Sequence, residues 1–131
     1  MPKITLCPPH LDFQPRPTYP YAPGTAGGGF VFTAGQVAWD ETGEVTGIGD
    51  VVAQTEQTLP NVLSVLAEGG ASPADVLKCT VYLKNMADFQ KMNDIFSRTF
   101  GETPPARTTV QAHLAEPAML VEIEAIAFVG A

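Results

Sequence analysis

The chain has 131 residues, 45% of them hydrophobic and 16% charged, and its formal net charge is -7. This length and composition predict one globular domain over 1–131, and the acidic charge argues against nucleic acid or an anionic membrane as a partner. No run of about 18 apolar residues is present, which predicts no transmembrane helix. The N-terminus has no apolar signal segment and two cysteines suit a reducing compartment, so we expect a cytoplasmic protein.

The beginning of the chain is rich in proline, which predicts an extended N-terminal segment over 1–28 with one short strand at about Lys3 to Cys7. The three glycines at 27–29 indicate a hairpin turn, because no Gly-Lys-Ser/Thr follows them to form a phosphate loop. Phe30 to Thr33 is then predicted as a strand. Gly35, just after it, would let a backbone or a ligand approach closely.

Two stretches have apolar residues at helical spacing. The first runs from about Val51 to Glu68, with Asp50 as a candidate N-cap, and Pro60 inside it should remove one backbone hydrogen bond and kink the helix. The second covers about 87–100 and ends at Gly101. The apolar stripes predicted to be buried are Val52, Thr55, Leu59, Val62, Leu63 and Leu66 in the first helix, and Phe89, Met92, Phe96 and Phe100 in the second.

Two further stretches alternate as strands, Val76 to Lys84 and Leu120 to Val129. The side of the first that is predicted to be buried carries Leu77, Cys79, Val81 and Leu83. The second strand has one wholly apolar face and another on which Glu122 and Glu124 alternate with large apolar residues. A carboxylate that loses its water must be paired or hydrogen-bonded, so we expect something such as another subunit to cover this face.

The order of strands and helices predicts an α+β domain, in which two helices pack on one face of a single mixed β-sheet. The other face of the sheet still carries apolar side chains, and one domain of this size has nothing left to cover it. Oligomerisation through that face follows as a hypothesis.

Arg107 is the only Lys or Arg among the last 33 residues, and it follows Pro104 and Pro105, which stiffen the chain before it. A planar guanidinium can hold a carboxylate in a bidentate fork. Arg107 is therefore a candidate partner for Glu122 or Glu124, or their neighbour across a shared pocket. A solvated ion pair on the surface is the simpler alternative.

Four stretches follow one another in a characteristic order: YAPG at 21–24, FVFTAGQV at 30–37, PPARTTV at 104–110 and LVEIEAIA at 120–127. Together they resemble the Rid family (YjgF-type reactive intermediate deaminases, RidA-like), over nearly the whole chain from Tyr21 to Phe128. The resemblance implies a chorismate-mutase-like α+β fold and a homotrimer with clefts between neighbouring subunits. It also implies hydrolysis of enamines and imines, such as 2-aminoacrylate and other 2-imino acids, to 2-oxo acids and ammonia.

The resemblance implies roles for single residues as well. Arg107 would hold the substrate carboxylate, and Glu122 would position the attacking water. Tyr21 would complete the catalytic set, with Tyr19 close enough to compete for that assignment. The further substrate contacts that it implies are Gly35, Asn93 and Thr109. Many family members have Cys at the last of these positions, so Thr109 removes any thiol chemistry and could alter substrate choice.

Neither a metal nor an organic cofactor is predicted. His10 and His113 show no zinc-ligand spacing with cysteine, and a reactive imine needs only positioning and one acid–base group. Trp39, which follows the first long strand, is either packing at a loop or subunit boundary or the wall of a pocket.

Three alternatives stay open. One is a pathway-specific deaminase of the same fold, acting for example on an aminomuconate-type enamine. Another is a non-catalytic protein that binds a small carboxylate in the same cleft. The third is a chaperone-like or nuclease-type role, of which the nuclease is disfavoured by the acidic charge.

Overall fold

The computed structural model describes residues 2–13 and 20–130. Eight strands and α-helices make up the fold: β1 (Ile4–Leu6), β2 (Gly24–Gly27), β3 (Phe30–Thr33), α1 (Val51–Glu68), β4 (Val76–Leu83), α2 (Phe89–Phe100), β5 (Ala106–Gln111) and β6 (Val121–Phe128). The strands form one sheet in the order β1-β2-β3-β6-β4-β5. Every neighbouring pair is antiparallel except β4 and β5, which are parallel and joined through α2.

Both helices cover the same face of the sheet. The apolar face of β6 is buried, as its alternation predicts, and it packs with the buried residues of α1 and α2 into one core. Burial of this apolar area is the main stabilising term of the fold. The predicted α+β class, with a single mixed sheet and two helices on one face, is confirmed.

Local signals set the ends of several elements as predicted. The Asp50 side chain accepts a hydrogen bond from the Ala53 N–H at 3.1 Å, which caps α1. Gly28 and Gly29 have φ of 60° and 88°, the left-handed values that a two-residue hairpin turn requires between β2 and β3. Pro60 lies exposed inside α1, and nothing in the structure explains why this helix contains a proline.

The described parts of the N-terminal segment contain more regular structure than the expected extended loop. A short 3-10 helix spans Pro9–Leu11, and β2 continues the sheet from Gly24 to Gly27. Leu6 and Leu11 are buried in the core, which ties this segment to the domain.

The prediction that Leu77 faces the core is wrong. The pairing of β4 with β6 shifts register between Val76 and Lys78, so Val76 takes the buried place and Leu77 is 53% exposed. A bulge of this kind inserts one residue and moves its neighbours to the opposite face.

The start of the second helix also differs from its prediction. A 3-10 turn occupies Met86–Asp88, capped by the Asn85 side chain, and α2 begins at Phe89. Phe89 is 39% exposed rather than buried, whereas Ile95, outside the predicted stripe, is buried.

The sheet face away from the helices, here called the outer face, is packed against neither helix and exposes apolar side chains among the described residues. Phe30, Phe32 and Phe128 are 37–45% exposed there, and the rings of Phe30 and Phe128 pack with centroids 4.8 Å apart. Of the helices in the described ranges, none is long and apolar enough to cross a membrane.

Candidate active site

The register of the sheet separates the two most important candidate residues. Arg107 pairs with Cys79 of β4, which in turn pairs with Ala125 of β6, and both of these are buried under the helices. Glu122 lies three residues from Ala125 along β6, so its side chain points to the outer face. Within one chain Arg107 therefore does not pair with Glu122 or Glu124, and the expectation of a direct ion pair is wrong for a single chain; the alternative of a pocket shared with another copy stays a prediction.

The Arg107 side chain lies against α2. One guanidinium nitrogen donates to Asn93 Oδ1 at 2.5 Å, and the group stands 4.8 Å from the Phe96 ring centroid and 5.5 Å from that of Phe89. Burial lowers the pKa of Arg107, but guanidinium groups stay charged at physiological pH. A second guanidinium nitrogen donates to the Met92 Sδ at 3.8 Å, so two aromatic faces, one amide and one thioether hold a cation whose remaining N–H groups can bind an anion.

A cavity of about 500 Å³ opens beside this guanidinium, and Pro104 and Pro105 line part of it. Thr109 lies two residues along β5 and pairs with the buried Val81, so it shares the helix-facing side with Arg107. We call Arg107 and Asn93 the Arg107 half-site.

A second group of predicted residues surrounds another cavity, of about 410 Å³. Tyr21, Gly35 and Glu122 all line it, and we call these three the Glu122 half-site. Tyr19, the competing tyrosine, lies outside the described residues. The structure therefore brings five of the six predicted residues together in two sets, and Thr109 lies in neither.

Gly35 makes the Glu122 half-site possible. A Cβ added to it would overlap the carboxylate of Glu122, with Cδ at 2.7 Å, so only glycine leaves room. The next residue, Gln36, exchanges two backbone hydrogen bonds of 2.9 Å with Ile123. These bonds fix the backbone of Gly35 against β6 beside the carboxylate.

Burial raises the pKa of the Glu122 carboxyl, and the charge of Glu124 on the same face of β6 raises it further. Glu124 accepts a hydrogen bond of 2.6 Å from the Tyr82 hydroxyl. That bond, together with burial and the two carboxylates, raises the pKa of Tyr82 to about 12. The phenol therefore remains a neutral donor, and Glu122 is an acid–base group with a pKa above that of a free carboxyl.

Helix α1 holds both walls of the cavity beside Glu122. Asn61 donates to the carbonyls of Val37 and Trp39 at 3.0 and 3.1 Å. Gln54 donates to the carbonyl of Ala118 at 2.7 Å and accepts from the Leu120 N–H at 2.8 Å. Both amide side chains are fully buried, so the loops that carry these backbone groups are tied to the core.

Some residues that surround the two half-sites were not predicted from the sequence. The second cavity is also lined by Val37, Trp39, Glu116 and Met119. Of these, only Trp39 carried a signal, as a large aromatic residue just after a strand. Phe89 and Phe96 were predicted only as core, although their spacing from Asn93 places all three on the side of α2 that meets Arg107.

Comparison with known proteins gives consistent matches over most of the chain. The model of the family described as endoribonuclease L-PSP matches residues 12–129, which include both half-sites. A RutC family protein of Pyrococcus abyssi is 45% identical over 115 residues, covering 87% of this chain and 90% of that protein.

Two further matches span almost the full length. The 3-aminoacrylate deaminase RutC of Acinetobacter baylyi is 34% identical over 129 residues, covering 98% of this chain and 100% of that protein. The crystal structure of a Rid-family protein of unknown function from Yersinia pestis has a TM-score of 0.86 at 30% identity, covering 98% of this chain and 100% of that one.

Proposed function

Because this chain belongs to the Rid family of YjgF-type proteins, we propose that it is an enamine and imine deaminase. It would hydrolyse 2-imino acids of the 2-aminoacrylate type to 2-oxo acids and ammonia, and so remove reactive intermediates in the cytoplasm. The observation that carries the proposal is the half-buried Glu122 carboxyl, which has a raised pKa and lies beside Gly35 at the edge of a cavity. Such a group suits proton transfer near neutral pH.

A site that combines the two half-sites would need a second copy, because they lie on opposite faces of the sheet. We propose a homotrimer in which the outer face of each chain is buried and Arg107 of one copy faces Glu122 of the next across a shared cleft. The exposed aromatic residues of the outer face supply the apolar surface for such an interface. Each cleft would then hold one cation and one acid–base group.

Arg107 would bind the carboxylate of the substrate. Its N–H groups beyond the bond to Asn93 can form a bidentate pair, and the rings of Phe89 and Phe96 keep the guanidinium in place. This contact fixes the imine carbon relative to Glu122, and positioning of this kind accounts for a large part of catalysis in reactions between small molecules.

Glu122 would then transfer a proton to the substrate nitrogen in each of two steps. As the oxygen of water bonds to the imine carbon, Glu122 takes a water proton, the C=N electron pair moves to nitrogen, and the proton follows it, which gives a carbinolamine. Glu122 next takes the proton of the new hydroxyl group and passes it to the amine. The C–N bond breaks, ammonia leaves, and the 2-oxo acid remains with Glu122 ionised as at the start.

One relative favours a narrower candidate. The 34% identical protein of Acinetobacter baylyi is a 3-aminoacrylate deaminase, so an enamine specific to one pathway is the second candidate. An aminomuconate-type enamine belongs to the same class. The net charge of -7 argues against a nuclease despite the name of the family model.

The test uses 2-imino acids made in place by an amino-acid oxidase, with semicarbazide present to trap the imine. A deaminase competes with the trap, so semicarbazone formation falls and ammonia release rises. We expect this effect for the native protein and a loss on the order of 100-fold or more in kcat/KM for Glu122→Gln and Arg107→Ala. Glu68→Gln is the control and should stay active, because it removes one negative charge, as Glu122→Gln does, but at an exposed position on α1.

The variants also separate catalysis from binding. Glu122→Gln should still bind a 2-oxo acid in calorimetry, because Arg107 is intact, whereas Arg107→Ala should not. A native protein that binds 2-oxo acids yet accelerates neither 2-imino acids nor 3-aminoacrylate would be a non-catalytic carboxylate-binding protein, and the proposal would be wrong.

A further inference from the structure

The cavity beside Glu122 has two chemically different parts. At one edge lie Gly35 and the Glu122 carboxyl, where the reaction is proposed to occur. The rest of the wall includes Val37, Trp39 and Met119, and two of these, Val37 and Met119, are only 2% exposed. About 410 Å³ of space adjoins this apolar wall, which is more than the ammonia and water of the reaction need.

Trp39 is a fixed part of this wall. Its carbonyl accepts from Asn61, and its ring packs on Phe13 with centroids 5.5 Å apart. Its backbone also forms a β-bridge with Val45. Two backbone contacts and one ring contact hold Trp39, and a residue held in this way presents the same surface before and after a ligand arrives, which favours selective binding.

The charges around the cavity are negative. Glu116 lies exposed at the rim and Glu122 lies inside, and no Lys or Arg lines the cavity among the described residues. In the proposed trimer, the substrate α-carboxylate would already occupy Arg107 of the neighbouring copy. A second carboxylate on the substrate would therefore enter the cavity without a partner and beside two like charges.

We infer that this cavity receives the side chain of the substrate, and that the protein prefers 2-imino acids with a large, neutral, apolar side chain over small or acidic ones. The inference rests on the proposed deaminase function. Trp39 then determines specificity for the size of the substrate side chain, and Glu116 determines specificity for its charge.

The test measures kcat/KM for imines made from phenylalanine, methionine, alanine and glutamate, each divided by its own rate of uncatalysed hydrolysis. This division removes differences in intrinsic reactivity. We expect the phenylalanine-derived imine to exceed the alanine-derived one on the order of 10- to 100-fold. The methionine-derived imine should exceed the glutamate-derived imine, which has a similar length but carries a charge, by at least about ten-fold.

Two variants locate these preferences. Trp39→Ala should reduce the phenylalanine-to-alanine ratio by about ten-fold or more, whereas Trp39→Phe should keep most of it. Glu116→Gln should raise the glutamate-to-methionine ratio several-fold. Ile48→Ala, which truncates a 71% exposed residue outside the cavity lining, is the control. Because each ratio comes from one sample, a smaller folded fraction would not change it.

The outcomes separate the two proposals. If the native protein accelerates every imine but prefers alanine- or glutamate-derived ones, or if Trp39→Ala keeps the native size ratio, the side-chain pocket is wrong and the deaminase function stands. If no imine is accelerated, both are wrong.

Discussion

The contact between Gly35 and Glu122 is the tightest constraint at the residue scale. Gly35→Ala should push the carboxylate away and lower kcat/KM on the order of 100-fold, since catalysis is sensitive to displacements of about 1 Å. Gly27→Ala is the matched control, because a Cβ there meets nothing within 4 Å. Equal activity of the two variants, measured at equal folded fraction by circular dichroism, would contradict the role of this contact.

The second residue-scale prediction concerns pH. Glu124 raises the pKa of Glu122, so Glu124→Gln should lower the pKa of Glu122. The ionised Glu122 would then remain present at lower pH, and the acid limb of the kcat/KM profile should move to lower pH. Tyr82, with a pKa of about 12, should titrate at lower pH in the same variant, which ultraviolet absorbance can follow.

Glu68→Gln serves as the control for this experiment, since it removes one negative charge at an exposed site on α1. Its acid limb should coincide with that of the native protein, because exposed charges are screened over a distance of about 10 Å. A shift of the same size in both variants would assign the effect to net charge and not to Glu124.

At the scale of elements, α1 is both a core helix and the support of the site. Asn61→Ala would leave the carbonyls of Val37 and Trp39 without their donor, and should lower the free energy of unfolding by about 1–3 kcal/mol. Glu56 lies on the same helix and forms an exposed ion pair with Arg98, with 3.7 Å between the charged atoms. Glu56→Ala should therefore change the free energy of unfolding by less than about 1 kcal/mol. Urea denaturation compares the two, and equal losses would contradict a special role for Asn61.

At the scale of the whole molecule, the proposed trimer makes burial of the outer face a condition for a complete site. Phe32→Glu places a charge at the centre of this face, and we expect the molar mass in light scattering to fall from three chains to one and deaminase activity to disappear. Ile48→Glu adds the same charge at another exposed apolar position and should change neither. An active, trimeric Phe32→Glu would exclude this face as the interface.

Periodicity in the sequence predicted most of the fold, because each helix or strand must carry apolar residues at regular intervals to bury one face. The alternation in β6 identified its buried face, and Asp50 marked the start of α1. Leu77 was placed on the wrong face because a bulge interrupts the two-residue period without any change of composition. A pattern along one strand reports burial, but it does not report irregular pairing.

The sequence predicted single residues of the candidate site, but it did not predict that they divide between the two faces of the sheet. The faces on which Arg107 and Glu122 lie depend on the register of β5, β4 and β6, and β4 precedes both in the chain. Nothing in the fifteen residues from Arg107 to Glu122 reveals that a third strand lies between their own. Trp39 and Met119 meet beside Glu122 through loops that α1 holds, which local sequence patterns do not describe.

Placing the half-sites on opposite faces of one sheet has a genetic consequence. A chain damaged in one half-site can still lend the other half to its neighbour, so Arg107→Ala and Glu122→Gln chains should complement each other when co-expressed. With equal amounts and random assembly, about one cleft in four would combine an intact arginine with an intact glutamate. Arg107→Ala with Asn93→Ala should restore much less, because both lie in the same half-site. The measurement is the deaminase activity of the mixed assemblies. By this measure, inactivating mutations would fall into two complementation groups according to the half-site they alter.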